Sequence, residues 1–151
     1  ADSNAKYNMQ EAQANGIKVG AYFFSTAVTA EEAVQEADWV ADYISQYQIT
    51  YPVAFNCEGF ENADSRQYAM TQSERTDMAI AFLNEIYNRG YTPMFYAEKM
   101  RCLAMQNGIP QELKKLIKSG CLNIHLYRIH RPHSPITLEH MQCGSTPIRE
   151  R

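Results

Sequence analysis

The sequence predicts an α/β fold in which parallel strands alternate with helices. Short apolar runs alternate with amphipathic helical patterns through residues 1–99, an order typical of a parallel sheet with helical crossovers. With 151 residues, 45% of them apolar, the chain is long enough for one ordinary domain. Two architectures fit: an open doubly wound sheet or part of a (β/α) barrel. No glycine-rich phosphate loop follows any predicted strand, which disfavours a nucleotide-binding sheet.

Periodicity and helix-end residues predict the elements in order. Helical spacing covers residues 5–15 and is closed by Gly16. Two T-x-x-E capping boxes open the other helices, the first at Thr29 and the second at Thr71. The second of these helices closes at Gly90. Apolar runs between the helices predict three strands, at residues 18–25, 52–55 and 92–97.

Charge and hydropathy exclude several partners. A net charge of −3 gives no electrostatic reason to expect nucleic acid or an anionic membrane as partner. No run of 18 apolar residues exists, so no membrane-spanning helix is predicted. The opening segment ADSNAKYNMQ is not a signal peptide and has no starting Met, so we expect a chain whose beginning is missing. Nothing in the sequence predicts the oligomeric state.

The composition changes abruptly after Lys99. Residues 1–99 carry 14 acidic and 6 basic side chains, whereas residues 100–151 carry 3 acidic and 8 basic ones. Sixteen of the 17 aromatic residues precede the change, and all four His follow it. One compact domain rarely changes composition so sharply at one point, so residues 100–151 are expected not to be a genuine part of the domain.

Glu58 is the strongest candidate for chemistry. In the stretch YPVAFNCEGF an apolar strand runs directly into this carboxylate, and a charge is best placed just beyond the carboxyl end of such a strand. In a barrel, active residues lie at that end. Apolar neighbours, Phe55 and Phe60, would favour the protonated carboxyl that a general acid needs. A helix cap or an ion pair is an equally open role for Glu58 at this stage.

Three further residues are candidates for the same cleft. Asn56 precedes Glu58 by two residues, so both side chains point the same way along an extended chain and could meet one ligand. Tyr22 and Tyr96 lie at or near the ends of the other two strands. Plain packing is the more common role for such tyrosines, and contact with a ligand is the alternative.

Cysteine and histidine do not predict a thiol enzyme or a metal centre. Cys57 is predicted to pack against the sheet, because a catalytic thiol needs a nearby His and residues 1–99 contain none. A group of six thiols and imidazoles in the tail matches no standard zinc spacing. No metal and no cofactor is therefore predicted. The six are Cys121, His125, His130, His133, His140 and Cys143.

Several stretches of residues 1–99 together resemble family 25 glycoside hydrolases, the lysozyme-type muramidases of bacteria and their phages. The matching stretches are GIKVGAYFFSTAVTAEEAVQEADWV, YPVAFNCEGF, SRQYAMTQSERTDMAIAFL and GYTPMFYA. The resemblance implies a fragment of a (β/α) TIM-like barrel with about three parallel strand–helix units and the amino-terminal strands missing. It also implies hydrolysis of the β-1,4 bond between N-acetylmuramic acid and N-acetylglucosamine in peptidoglycan, outside the cell or at the cell wall.

The resemblance implies a role for each candidate residue. The family's hallmark at this strand end is Asp-x-Glu, and Glu58 matches the residue that protonates the glycosidic oxygen. Asn56 replaces the Asp; an amide can hold a substrate acetamido group but cannot supply negative charge. Tyr22 and Tyr96 match aromatic positions that line the sugar cleft. A further acidic residue of the family would precede Ala1 and is absent from this chain.

A frameshift near Lys99 accounts for the tail. If two nucleotides are dropped, codons for KSGCLNIH permit VWVSQYP, and codons for LEHMQCGSTPIRER permit GAHAMWQYTNTGT. Codons for RCLAMQNGIPQELKKLIKSG likewise permit MLGNAKWDTARIEKTYKVW. These are the strand and helix sequences that the family resemblance implies, including a terminal Trp-Gln-Tyr. The Ala encoded across Met141 and Gln142 is forced by the genetic code.

The sequence thus predicts a peptidoglycan hydrolase that is inactive and poorly folded as this chain. Two alternatives remain open. One is a non-catalytic carbohydrate- or cell-wall-binding protein, which would bind glycan without cleaving it. The other is an unrelated open α/β domain whose tail is genuine, and this alternative predicts a cooperative melt and further tail strands in the sheet.

Overall fold

The computed structural model describes residues 1–97 and 123–126, and they form alternating helices and strands. No helix among these residues is long and apolar enough to cross a membrane. The predicted alternation is confirmed, and the fold class is α/β. The elements in chain order are α1 Ala5–Ala14, β1 Val19–Phe24, α2 Ala30–Ile44, β2 Ile49–Cys57, α3 Gln72–Asn88, β3 Pro93–Ala97 and β4 Asn123–Leu126.

The four described strands form one parallel sheet in the order β1-β2-β3-β4. Among the described strands, neighbours in the chain are therefore neighbours in the sheet, and the helices α2 and α3 connect the first three of them. β4 contradicts one prediction. Residues 100–151 were expected to add no strand to this sheet, yet Asn123–Leu126 pairs in parallel register with β3. Four consecutive residues with unpaired backbone groups beside an open strand edge are enough for such pairing, whatever their side chains.

β2 is the central strand and is longer than its apolar run predicts. It begins at Ile49, which pairs with Val19, three residues before the predicted start at Pro52. The register then shifts between Val19 and Ala21, where the pairing passes the proline. Pro52 has no N–H to donate, so a local irregularity is the expected response. The strand continues to Cys57 and places Glu58 directly beyond its end.

The core lies between the sheet and the two long helices. Phe55 of β2 packs against Phe82 of α3 with ring centroids 5.1 Å apart, and against Phe95 of β3 at 6.1 Å. Phe23 of β1 stacks on Phe82 from the other side at 5.8 Å. Because side chains alternate along a strand, this aromatic layer takes one face of the sheet and leaves Asn56 on the other.

The two predicted capping boxes behave differently. Thr71 forms the complete box: its Oγ1 accepts from the N–H of Glu74, and its own N–H donates to the Glu74 carboxylate. Thr29 forms half of one, since its side chain accepts from Glu32 N–H. The Glu32 carboxylate instead accepts from Val28 N–H at 2.9 Å and from Arg66. The prediction is therefore confirmed at Thr71 and wrong in its second half at Thr29.

The complete capping box gives a stability prediction. Thr71→Ala removes the oxygen that accepts from Glu74 N–H, so the free energy of unfolding should fall by about 1 kcal/mol. Urea unfolding followed by circular dichroism measures it. Thr71→Ser keeps the hydroxyl and serves as the matched control, with stability close to wild type. A Thr71→Ala chain as stable as the Thr71→Ser chain would contradict the capping role.

Candidate active site

Glu58 lies at the carboxyl end of the central strand. Its side chain is half-buried, and the next residue, Gly59, turns the chain away with φ of 72°. A Cβ at Gly59 would also lie 3.3 Å from the ring of Phe24 on β1. A residue with a side chain would therefore meet both a strained backbone and a close ring. The turn that presents Glu58 depends on glycine for both reasons.

Asn56 contacts Glu58 directly. Its Nδ2 donates to Glu58 Oε2 at 3.2 Å, so the two side chains lie together, and their contact with one ligand stays a prediction. Asn56 is 0% exposed, between its register partners Phe24 on β1 and Tyr96 on β3. In the described part of the chain, no donor reaches Asn56 Oδ1. A buried carbonyl without a partner costs roughly 1–3 kcal/mol, so this oxygen is suited to accept a hydrogen bond from a ligand.

Tyr22 and Tyr96 form an aromatic pair beside these two residues. Their ring centroids are 5.7 Å apart with an interplanar angle of 72°, an edge-to-face contact. Tyr22 is 57% exposed and Tyr96 is half-buried. The structure thus brings all four candidate residues to one face of the sheet.

The electrostatics of Tyr22 reflect the same neighbourhood. Desolvation, followed by the negative charges of Glu58 and ionised Tyr96, raises the pKa of the Tyr22 phenol from 10.0 to about 12. The phenol is therefore protonated across the physiological range and can donate a hydrogen bond.

The two loops beside the cleft are linked by contacts that sequence analysis did not predict. Gln67 is 4% exposed, and its Nε2 donates to the Ala27 carbonyl at 2.8 Å. Arg66, in the loop after β2, pairs at 2.9 Å with Glu32 in the first turn of α2. Forty residues separate Gln67 from Ala27, and no local pattern marks such a pair. These contacts hold the loop after β1 and the first turn of α2 against the loop after β2, which carries Glu58.

The structure describes Cys57, but not the tail side chains that were considered as metal ligands. Cys57 is buried, as predicted, and is disulfide-bonded, so it offers no free thiol. Within residues 1–97 and the β4 segment, no three His, Cys, Asp or Glu side chains are placed to hold a metal ion. The six tail thiols and imidazoles considered above lie outside the described side chains.

Comparison with known proteins gives one match. The family model described as glycosyl hydrolases family 25 matches residues 1–119. This segment includes all four stretches that carry the resemblance and continues past Lys99, where the resemblance was predicted to end. Searches among curated proteins and among solved structures found no match.

The raised pKa of Tyr22 gives a titration prediction. The difference in ultraviolet absorbance between wild type and Tyr22→Phe should show a phenol that ionises at about pH 12, above the ordinary 10.0. Glu58→Gln removes a neighbouring charge and should lower that midpoint. Because the folded-state pKa is the higher one, the Tyr22 contribution to stability is present below about pH 10 and is lost as the pH rises toward 12. A midpoint unchanged by Glu58→Gln would contradict the proximity of the two groups.

Proposed function

Since the chain belongs to glycosyl hydrolase family 25, we propose that it derives from a lysozyme-type muramidase that cleaves the β-1,4 bond between N-acetylmuramic acid and N-acetylglucosamine. Its substrate would be the glycan strands of peptidoglycan, and its place of action the cell wall. The observation that carries the proposal is the Glu58 carboxylate, which is half-buried directly beyond β2 and accepts a hydrogen bond from the buried side-chain amide of Asn56. No cofactor is required for this reaction.

In this proposal Glu58 is the general acid. It protonates the glycosidic oxygen as the bond to the anomeric carbon breaks, while positive charge develops on the sugar ring. Asn56 then has two roles. Its Nδ2 orients the Glu58 carboxyl group, and its unpartnered Oδ1 accepts from the N–H of the substrate's acetamido group. The Tyr22 and Tyr96 rings supply the apolar wall against which a sugar ring packs.

A second candidate function is glycan binding without cleavage. Asn56 favours it, because the family hallmark has an Asp at this position and an amide cannot stabilise a developing cation by charge. The buried, unpartnered oxygen and the tyrosine pair would serve a binding site equally well. Binding of glycan by a protein that releases no reducing ends would support this candidate.

We propose, as a separate matter, that the tail after Lys99 is read out of frame. The abrupt change in charge and aromatic content supports it, as do the family-like segments in the shifted frame. The chain as written is then expected to be inactive. The family match to residue 119 and the pairing of β4 are features that this proposal must accommodate. Backbone pairing at an open edge needs no selected side chains, so a single short strand is compatible with it.

The acid role predicts a large and specific loss of activity. In a protein with both the family's upstream strands and the shifted frame restored, called the frame-restored protein below, Glu58→Gln should reduce turnover of cell walls by about 10²- to 10⁴-fold with little change in folding, because the general acid is lost. Release of reducing sugars from purified peptidoglycan measures the rate. Glu31→Gln, on the exposed first turn of α2, is a matched control and should leave turnover unchanged. A Glu58→Gln protein that keeps more than about a tenth of wild-type turnover would exclude Glu58 as the acid.

The amide role predicts a different result at Asn56. If Asn56 acts mainly on the acetamido group, Asn56→Asp should be tolerated or should raise turnover, because it keeps the acceptor and adds negative charge near the developing cation, although it removes the Nδ2 donor to Glu58. Release of reducing sugars from purified peptidoglycan measures the turnover of Asn56→Asp, with the Glu58→Gln variant as the reference. A loss as large as that of Glu58→Gln would show instead that the Nδ2 donor to Glu58 is indispensable.

The frame proposal is tested by the source DNA. The frame two nucleotides on from codon 99 should remain open through the region encoding residues 100–151 and should encode Trp-Gln-Tyr near its end. Sequencing this region in several clones provides the measurement and controls for a copying error in one of them. An early stop codon in that frame would overturn the proposal.

A further inference from the structure

Arg75 is a buried cation next to the loop that carries Glu58. It lies in the first turn of α3, and only 6% of it is exposed. Burial lowers the pKa of its guanidinium, an effect that the charges of Glu61 and Glu74 oppose. Arginine is rarely so buried unless its charge is used, since apolar residues of similar volume are often as stabilising or more so.

The guanidinium contacts both ends of this loop. Its carbon lies 4.3 Å from the centre of the Phe60 ring, a cation–π contact near the loop's beginning. Its Nη1 donates to the carbonyl oxygen of Met70, near the loop's end. One planar group therefore fixes two points that are ten residues apart in the chain, a geometry that lysine cannot reproduce.

Between these two points the loop is a series of turns. Backbone hydrogen bonds join Asn62 to Gly59, Tyr68 to Ser65 and Met70 to Gln67. Only Gly59 separates Phe60 from Glu58, and Gly59 has the most permissive backbone of any residue type. The β2 strand fixes Glu58 from one side, but a glycine cannot fix it from the other. The position of the Phe60 ring constrains Glu58 from that side, in addition to the hydrogen bond from Asn56.

We propose that Arg75 is a positioning residue that holds the Glu58 carboxyl group in its cleft by fixing Phe60 and Met70. The inference rests on the proposed function of Glu58 and adds to it a residue outside the cleft. Arg75 touches neither substrate nor reacting atoms in this proposal. Its effect is geometric, and a displacement of about 1 Å at a catalytic group can cost about 10²-fold in rate.

Two substitutions in the 151-residue chain test the proposal. Arg75→Met keeps the volume and removes both contacts, whereas Arg75→Lys keeps the charge and loses the planar stack. Arg89→Met is the matched control, because Arg89 lies at the other end of α3, where it pairs with Asp38 and Asp42. It should affect stability without reaching the Glu58 loop.

Three measurements separate a positioning role from a merely structural one. Amide hydrogen exchange of residues 59–70 should be at least 10-fold faster in Arg75→Met than in Arg89→Met. The ¹³C signal of the Glu58 carboxyl group should move in Arg75→Met, move less in Arg75→Lys and stay in Arg89→Met. In the frame-restored protein, Arg75→Met should lower kcat about 10-fold or more with little change in KM, and Arg75→Lys should lower it less.

Each outcome bears on the proposal. An unmoved Glu58 signal, or loop exchange equal to that of Arg89→Met, would overturn it, and so would a wild-type chain with no protection in residues 59–70. A protein that neither binds nor cleaves glycan would refute the proposed function instead. The exchange and ¹³C measurements on the 151-residue chain would still decide the role of Arg75.

Discussion

The parallel register of β2 between β1 and β3 is the constraint on which the site depends. Asn56 pairs with Phe24 on one side and with Tyr96 on the other. A shift of one residue in β2 would turn Asn56 toward the helices and Phe55 toward the cleft. The Phe55 contacts with Phe82 and Phe95 oppose that shift, because they fill the core only in the observed register. Core packing on one face of the sheet thus fixes the position of the candidate site on the other face.

The burial of Asn56 is the feature of the candidate site that most favours the proposed contact with a ligand. A buried amide normally has partners for both its oxygen and its nitrogen, because an unpaired group costs free energy. Asn56 uses its nitrogen on Glu58, while the oxygen stays unpaired among the described residues. A ligand N–H would supply the missing hydrogen bond to the Asn56 oxygen. The same feature supports hydrolysis and simple binding, and the two differ only in whether Glu58 transfers its proton.

The loops beside the cleft owe their shape to long-range contacts rather than to local turn preferences. Gln67 donates to Ala27 in the loop after β1, and Arg66 pairs with Glu32 in the first turn of α2, so the loop after β2 is held against both. Arg75 of α3 contacts Phe60 and Met70 in the loop after β2. A carboxylate at a strand end needs such support, because the strand constrains it only from one direction. In our proposal, side chains distant from Glu58 therefore act together with the Asn56 hydrogen bond to orient its carboxyl group.

The sequence by itself determined the order of helices and strands, the helix ends at Thr71 and Gly90, and the presence of Glu58 beyond a strand. These follow from local signals, namely periodicity, capping and turn residues, which act over a few positions. Only the tertiary structure decided the addition of β4, the altered partner of Glu32 and the burial of Arg75. Each depends on groups that are distant in the chain and that meet only once the sheet and helices have packed. Local sequence patterns do not predict such long-range contacts, because the free energy that stabilises these contacts arises from burial and pairing in the folded structure.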